Sequence, residues 1–217
     1  PHGARITGVV FSPDSQLFAT ADADGVVYLW DAERTPEAAP LRRIPASSQP
    51  LASIDDVCFY GNDTLMLALS NGTIHEYRVE GGAFVRVLPR PREVDGEGWE
   101  VLRVHLAVGP QSERMAAQIA EVRELTPDDQ EKPAQVQRFV YRYSVWSWSG
   151  PRDVAVLVAP ADERFATPPT GIVYSPTGDL VATVQGPRFD AARQTDHAGQ
   201  TLRVWPMVET QDRVSRE

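Results

Sequence analysis

The sequence has one cysteine, Cys58, among 217 residues. An internal disulfide is therefore impossible, and a reducing, intracellular (cytoplasmic) setting is expected. Lysine is equally scarce. Lys132 stands alone, and arginine supplies nearly all the positive charge. Acidic residues outnumber basic ones, 30 to 21, giving a formal net charge of −9. Phosphate-backbone binding needs clustered Lys and Arg, and no such cluster is present, so nucleic acid is excluded as a partner. No apolar run approaches the ~18 residues of a membrane-spanning helix, which excludes a spanning role by helices. No signal peptide is readable, and no segment keeps a long 3.6-residue period. The sequence starts at Pro1 without a methionine, so it reads as an excised piece of a longer chain.

Glycine and proline are plentiful, at 15 and 18. They punctuate many short apolar stretches, which is an all-β pattern. Residues 6–11, 17–21 and 26–30 are such stretches. Ser12-Pro13-Asp14-Ser15 and Asp22-Ala23-Asp24-Gly25 separate them with strong turn chemistry.

The pattern also repeats. Phe11-Ser-Pro-Asp-Ser-Gln-Leu-Phe-Ala-Thr aligns with Tyr174-Ser-Pro-Thr-Gly-Asp-Leu-Val-Ala-Thr. Phe59-Tyr-Gly-Asn-Asp-Thr-Leu-Met and Val108-Gly-Pro-Gln-Ser-Glu-Arg-Met are weaker copies. From Phe11 to Phe59 is 48 residues, from Phe59 to Val108 is 49, and from Val108 to Tyr174 is 66. The first two lie a little above the ~40–45 residues of a four-stranded propeller blade, and the third implies inserted loop.

Residues 2–31 resemble a WD40 repeat throughout. His2 stands where the family has its Gly-His dipeptide, with Pro1 in place of the glycine. Val9-Val10-Phe11-Ser12-Pro13-Asp14 matches the first strand and its turn, and Leu17-Phe-Ala-Thr20 the second strand. Asp24-Gly25 and Leu29-Trp30-Asp31 match the signature that names the family. The copies at 53–79 and 169–205 are moderate, and that at 101–146 is weak. The resemblance implies an all-β propeller of four-stranded antiparallel blades around a channel. Blades are expected at about 1–48, 49–92, 93–160 and 161–207, with a polar tail at 208–217. Strands are expected near 6–11, 16–21, 26–31 and 41–45. They continue at 54–60, 64–69, 73–79 and 84–88, then at 101–107, 114–120, 137–146 and 153–158. Blade four has 170–175, 180–185 and 200–206. WD40-type discs usually close with about seven blades, so four make an incomplete arc. The remaining blades are expected from the parent chain or another subunit.

The resemblance also implies a hydrogen-bonded structural tetrad of His2, Thr20, Asp24 and Trp30 that staples the first blade. A catalytic hydroxyl–His–Asp triad is the competing reading, but the hydroxyl would lie inside the sheet without a mouth for substrate. Other blades depart from the pattern. Pro50, Asn71 and Tyr77 take the His, Asp and Trp positions in blade two. Trp99 and Trp146 are offered by blade three, and Phe165, Thr183 and Trp205 by blade four.

Two stretches interrupt the second-to-third-strand junctions of blades three and four, residues 121–135 and 186–198. Such junctions share one face of a propeller, and binding surfaces are often grafted on loops over a rigid scaffold. Arg188, Phe189 and Arg193 are the candidate partner-binding residues, since Arg and aromatics dominate hot spots. Asp22-x-Asp24-Gly25 resembles the opening of a calcium loop but lacks the later acidic ligand, so it reads as a turn. Asp190, Asp196 and His197 lack the second His or Cys that a metal site requires. Cys58, in an apolar strand, reads as a small hydrophobe.

The function expected is a non-catalytic protein–protein interaction scaffold, with protein partners and no cofactor or metal. A sensory or regulatory module of a larger signalling or ATPase protein is the first alternative. A propeller enzyme with chemistry at the channel mouth is the second, and four histidines without a paired constellation offer it little.

Overall fold

In a computed structural model of the chain, residues 2–34, 39–45, 52–88, 98–109, 114–124, 139–148, 156–159, 165, 167–186 and 201–206 are described. They form fifteen strands and no helix. The first sheet holds β1 (Ile6–Phe11), β2 (Leu17–Asp22), β3 (Val26–Asp31) and β4 (Arg42–Pro45). The second holds β5 (Ile54–Tyr60), β6 (Thr64–Leu69), β7 (Ile74–Arg78) and β8 (Phe84–Val87). The third holds β9 (Glu100–Val108), β10 (Met115–Glu124), β11 (Phe139–Trp148) and β12 (Val156–Ala159). The last holds β13 (Gly171–Tyr174), β14 (Leu180–Gln185) and β15 (Thr201–Pro206). Within each sheet, neighbours in sequence are neighbours in space, and every pairing is antiparallel. The sheets are antiparallel meanders, the arrangement of propeller blades.

Turn chemistry sets the hairpins. Ser12 Oγ donates to Asp14 Oδ1 at 2.6 Å and accepts the Leu17 amide at 3.0 Å. Blade four repeats the device: Ser175 Oγ donates to Asp179 Oδ1 and accepts the Leu180 amide. These side-chain bonds favour a turn over continued sheet. The fourth turn residue has a left-handed backbone in both, Ser15 in one (φ 60°) and Gly178 in the other (φ 76°).

Successive sheets stack through their first strands, β1 on β5, β5 on β9 and β9 on β13. Alternation along each strand sends one set of side chains forward and the next set back. Three apolar layers result. Ala19, Ala21, Val27 and Leu29 of blade one meet Val57, Phe59, Leu65 and Tyr77 of blade two. Met66, Ala68 and Ile74 meet Leu106, Met115, Ile119 and Trp146 of blade three. Ala116 and Val145 meet Ile172, Val181, Tyr174 and Trp205 of blade four. Cys58 lies in the second layer, buried and free. Burial pushes its thiol well above the ordinary value, with the Asp56 charge adding to the effect.

The expected loop 121–135 begins later than the sequence implied. β10 continues through Glu124, with Glu121 opposite Arg142 and Glu124 opposite Phe139. The buried Glu121 carboxylate accepts from Arg142 Nε at 2.8 Å, which lets charged residues remain in strand. Residues 125–135 lie outside the described residues.

Candidate functional site

The front face of blade one carries the first candidate constellation. His2 Nδ1 lies 2.7 Å from Asp22 Oδ2, and His2 Nε2 lies 2.6 Å from Thr20 Oγ1. The Trp30 indole N–H donates to the same Thr20 oxygen at 2.9 Å. One assignment satisfies all three contacts. Nδ1–H donates to the carboxylate, the threonine hydroxyl donates to Nε2, and the indole donates to the hydroxyl oxygen. The carboxylate is Asp22 and not the expected Asp24. Asp22 ends β2 opposite Ile6 and points from the sheet to the histidine, whereas Asp24 sits in the turn with its side chain exposed. Asp24 contributes its backbone N–H, which donates to Asp22 Oδ1, as does Val26 N–H. Burial raises the Asp22 carboxyl, but the hydrogen bonds from His2, Val26 and Asp24 outweigh it. Its pKa therefore falls below the usual carboxylate range.

This geometry does little for hydrolytic chemistry. Thr20 is buried, and its oxygen already faces both the imidazole and the indole. Around the four residues lies an aromatic ladder. Phe11 packs on Phe18, Phe18 stacks on Trp30 at 5.8 Å, Trp30 meets Tyr28, and Tyr28 meets His2 edge-on at 4.7 Å.

Other blades keep fragments of this chain. In blade two the positions of Thr20, Asp22 and Trp30 are taken by Leu67, Leu69 and Tyr77, all buried. Asn71 matches Asp24, and its side chain closes the turn by accepting the Thr73 amide. Pro50 lies outside the described residues. In blade three Trp146 Nε1–H donates to Ser144 Oγ at 2.8 Å. In blade four Trp205 Nε1–H donates to Thr183 Oγ1 at 3.3 Å. Phe165 is buried and exchanges both backbone hydrogen bonds with Tyr141.

The seam between blades two and three carries a second polar group that sequence reasoning missed. Asp55 Oδ2 accepts the Val104 amide at 3.0 Å, and Asp56 Oδ2 accepts the Leu106 amide at 2.9 Å. His105 Nδ1 is 3.9 Å from Asp56. Burial pushes both carboxyls above the usual value, against the pull of those amides. Burial also lowers His105, although Asp56 opposes it. The adjacent acidic pair Asp55-Asp56 was visible in the sequence, but pairing it with β9 needs the blade-to-blade register. The carboxylates serve as acceptors for the inner-strand amides.

The third feature is the β10–β11 hairpin. Each arm has ten residues, against six in β2 and β3. The extra residues extend the arm by roughly 13 Å at about 3.3 Å per residue. Arg142 lies over the Trp99 ring at 4.3 Å and Arg123 at 5.6 Å, so the Glu121–Arg142 pair is bracketed by an aromatic face. Arg188, Phe189 and Arg193 lie outside the described residues, as do Asp190, Asp196 and His197. Among the described residues no group of three His, Cys, Asp or Glu is placed to hold a metal ion.

Residues 1–31 match the family model described as WD domain, G-beta repeat. The crystal structure of the computationally designed Ika4 protein is similar, with a TM-score of 0.56 and 13% identity over 95% of this chain and 93% of that one. A chain in the crystal structure of Mitotic Checkpoint Complex is similar too, with a TM-score of 0.53 and 18% identity. That likeness covers 96% of this chain but 51% of the other, so this chain spans about half its length. At these identities the likeness is one of fold. A comparison with curated proteins gives no match. Residues 1–31 are thus similar to a WD domain, G-beta repeat, and the chain shares the fold of the two solved structures.

Proposed function

We propose that the chain is a non-catalytic protein–protein interaction scaffold whose partner surface is the rim carrying the second-to-third-strand junctions of blades three and four. The long β10–β11 hairpin carries this reading, because near its end Arg123 and Arg142 lie against the Trp99 ring that precedes β9. Arg and aromatic side chains are the groups that dominate protein interfaces. Residues 186–198, with Arg188, Phe189 and Arg193, are assigned to the same rim in this reading from their place in the repeat alone. The His2–Asp22–Thr20–Trp30 chain serves this role indirectly, as a staple that keeps the first blade in one geometry. Cys58, buried and held as the thiol, fits work in a reducing compartment.

The test compares cross-linked partner capture by the intact chain and by two variants. One lacks residues 125–138, the other 188–198, each closed by a short Gly-Ser turn. Loss of the same partners from both variants, at an unchanged melting temperature, is the expected result. An unchanged partner set would remove the rim as the binding surface.

A further inference from the structure

The joint between blades one and two is built from small and apolar side chains. The front of blade two, like that of blade four with Ile172 and Tyr174, offers a β-branched residue and an aromatic from its first strand, whereas blade three offers Leu106 and Val108. In blade two these are Val57 and Phe59, 4% and 3% exposed. The back of the preceding blade offers small and aliphatic residues, Val27 and Leu29, at 0% and 2%. A glycine completes the fit. A Cβ on Gly8 would stand 2.8 Å from Val57 Cγ1, so only glycine admits the valine at this separation.

The two ends of the stack present the same halves without their mates. On the front of blade one, Val9 and Phe11 occupy the places of Val57 and Phe59, yet they are 61% and 59% exposed. On the back of blade four, Leu202 and Val204 occupy the places of Val27 and Leu29, yet they are 65% and 51% exposed. Val173 beside them is also exposed. Gly171 stands where Gly8 stands in blade one, and a Cβ there would meet nothing within 4 Å. An exposed aromatic face and an exposed aliphatic face thus sit on one chain, each fitting the other as the two faces of the first joint do. Apolar faces of this kind mark association sites.

We propose that these end faces are a docking surface for a second copy of this chain, joined head to tail. The back of blade four in one copy packs on the front of blade one in the other, with Val9 entering the space over Gly171 as Val57 does over Gly8. Head-to-tail contacts form rings where the rotation closes. Two copies supply two identical joints and about eight blades, within the ~4–8 of known propellers. The two-copy proposal does not depend on the loop rim, and it stands or falls separately from it.

Light scattering coupled to size exclusion tests it on the chain at tens of micromolar. The expected mass is twice 24.0 kDa, constant over a tenfold dilution series at that scale. Leu202→Glu, at an exposed position, and Gly171→Leu, at a half-buried one with open space over it, should each shift the mass to one chain while far-UV circular dichroism stays that of the parent. Should a variant unfold, Val9→Cys combined with Gly171→Cys provides a second readout. Oxidation should then yield a covalent two-chain species, absent with either cysteine alone. A monomeric parent chain would overturn the second copy as occupant. A dimer indifferent to all three positions would overturn the joint, and mass growing without limit would overturn the closed ring.

Discussion

Asp22 holds Nδ1 of His2 at 2.7 Å, and Asp24, two residues on, holds only a turn position through its backbone. The difference is measurable. Asp22→Ala removes a charge-assisted bond and leaves His2, Val26 N–H and Asp24 N–H short of an acceptor. The expected cost is about 2–3 kcal/mol, the range for hydrogen bonds to charged groups. Asp24→Ala, on an exposed side chain, should stay within about 0.5 kcal/mol. Urea unfolding followed by tryptophan fluorescence separates the two, and equal losses would show that Asp22 is not the anchoring carboxylate.

Carboxylates of this chain titrate in opposite senses. Asp22 is held below its ordinary value by His2 and two amides, against its burial. Its stabilisation is present above the ordinary carboxylate pKa and lost as pH falls through the folded one. Asp55 and Asp56 are pushed up by burial. Their contribution is most favourable below the ordinary pKa and is lost as pH rises through the raised one. Asp22→Asn should therefore flatten the acid limb of a melting-temperature profile below about pH 4. Asp56→Asn keeps an oxygen for Leu106 N–H. Its NH2 then faces Val57 N–H, which Asp56 Oδ1 accepts, so its melting temperature relative to the parent should rise from about pH 3 to neutral pH. Parallel profiles for both variants would contradict the assignment.

Gly8 and Val57 meet across the first joint, where an added Cβ has no room. Gly8→Ala should cost about 1–3 kcal/mol by overpacking. Val57→Ala opens the space, so the double variant should recover part of the loss. A double-mutant cycle reads the coupling directly, and simple additivity would place the strain elsewhere.

Glu121 and Arg142 form a nearly buried ion pair, with side chains 4% and 12% exposed, beneath the Trp99 ring. Removing one partner leaves the other charge buried, so Glu121→Ala is expected to cost about 3–5 kcal/mol. Arg142→Lys keeps the charge but loses the planar group over Trp99, and it should fall between Glu121→Ala and the parent. Thermal unfolding of the parent and both variants reads this order.

How much of this was legible beforehand follows the range of the physics. Alternation, turn residues and repeat spacing are local. They located the strands of blade one within a residue at each end and those of blade two likewise. β10 ran past its expected end because Glu121 and Arg123 looked like loop residues. Their partners, Arg142 and Trp99, come from other strands and cannot be read from a window around residue 121. His2, Thr20 and Trp30 were identifiable by position within one repeat. Their carboxylate was misplaced by two residues, because two aspartates share one turn and only the register of Asp22 against Ile6 chooses between them.

A small cysteine and lysine inventory, an acidic balance and a repeated strand–turn pattern were sufficient to determine an all-β chain of repeated blades. Those properties are carried by residue type and spacing along the chain. The tertiary structure decided which carboxylate meets the imidazole, how Asp55 and Asp56 reach the next blade, and which apolar faces stay uncovered. Val9 and Val57 have the same neighbours in sequence pattern and opposite exposures. Burial depends on what stands across the joint, and no local signal in either strand contains that.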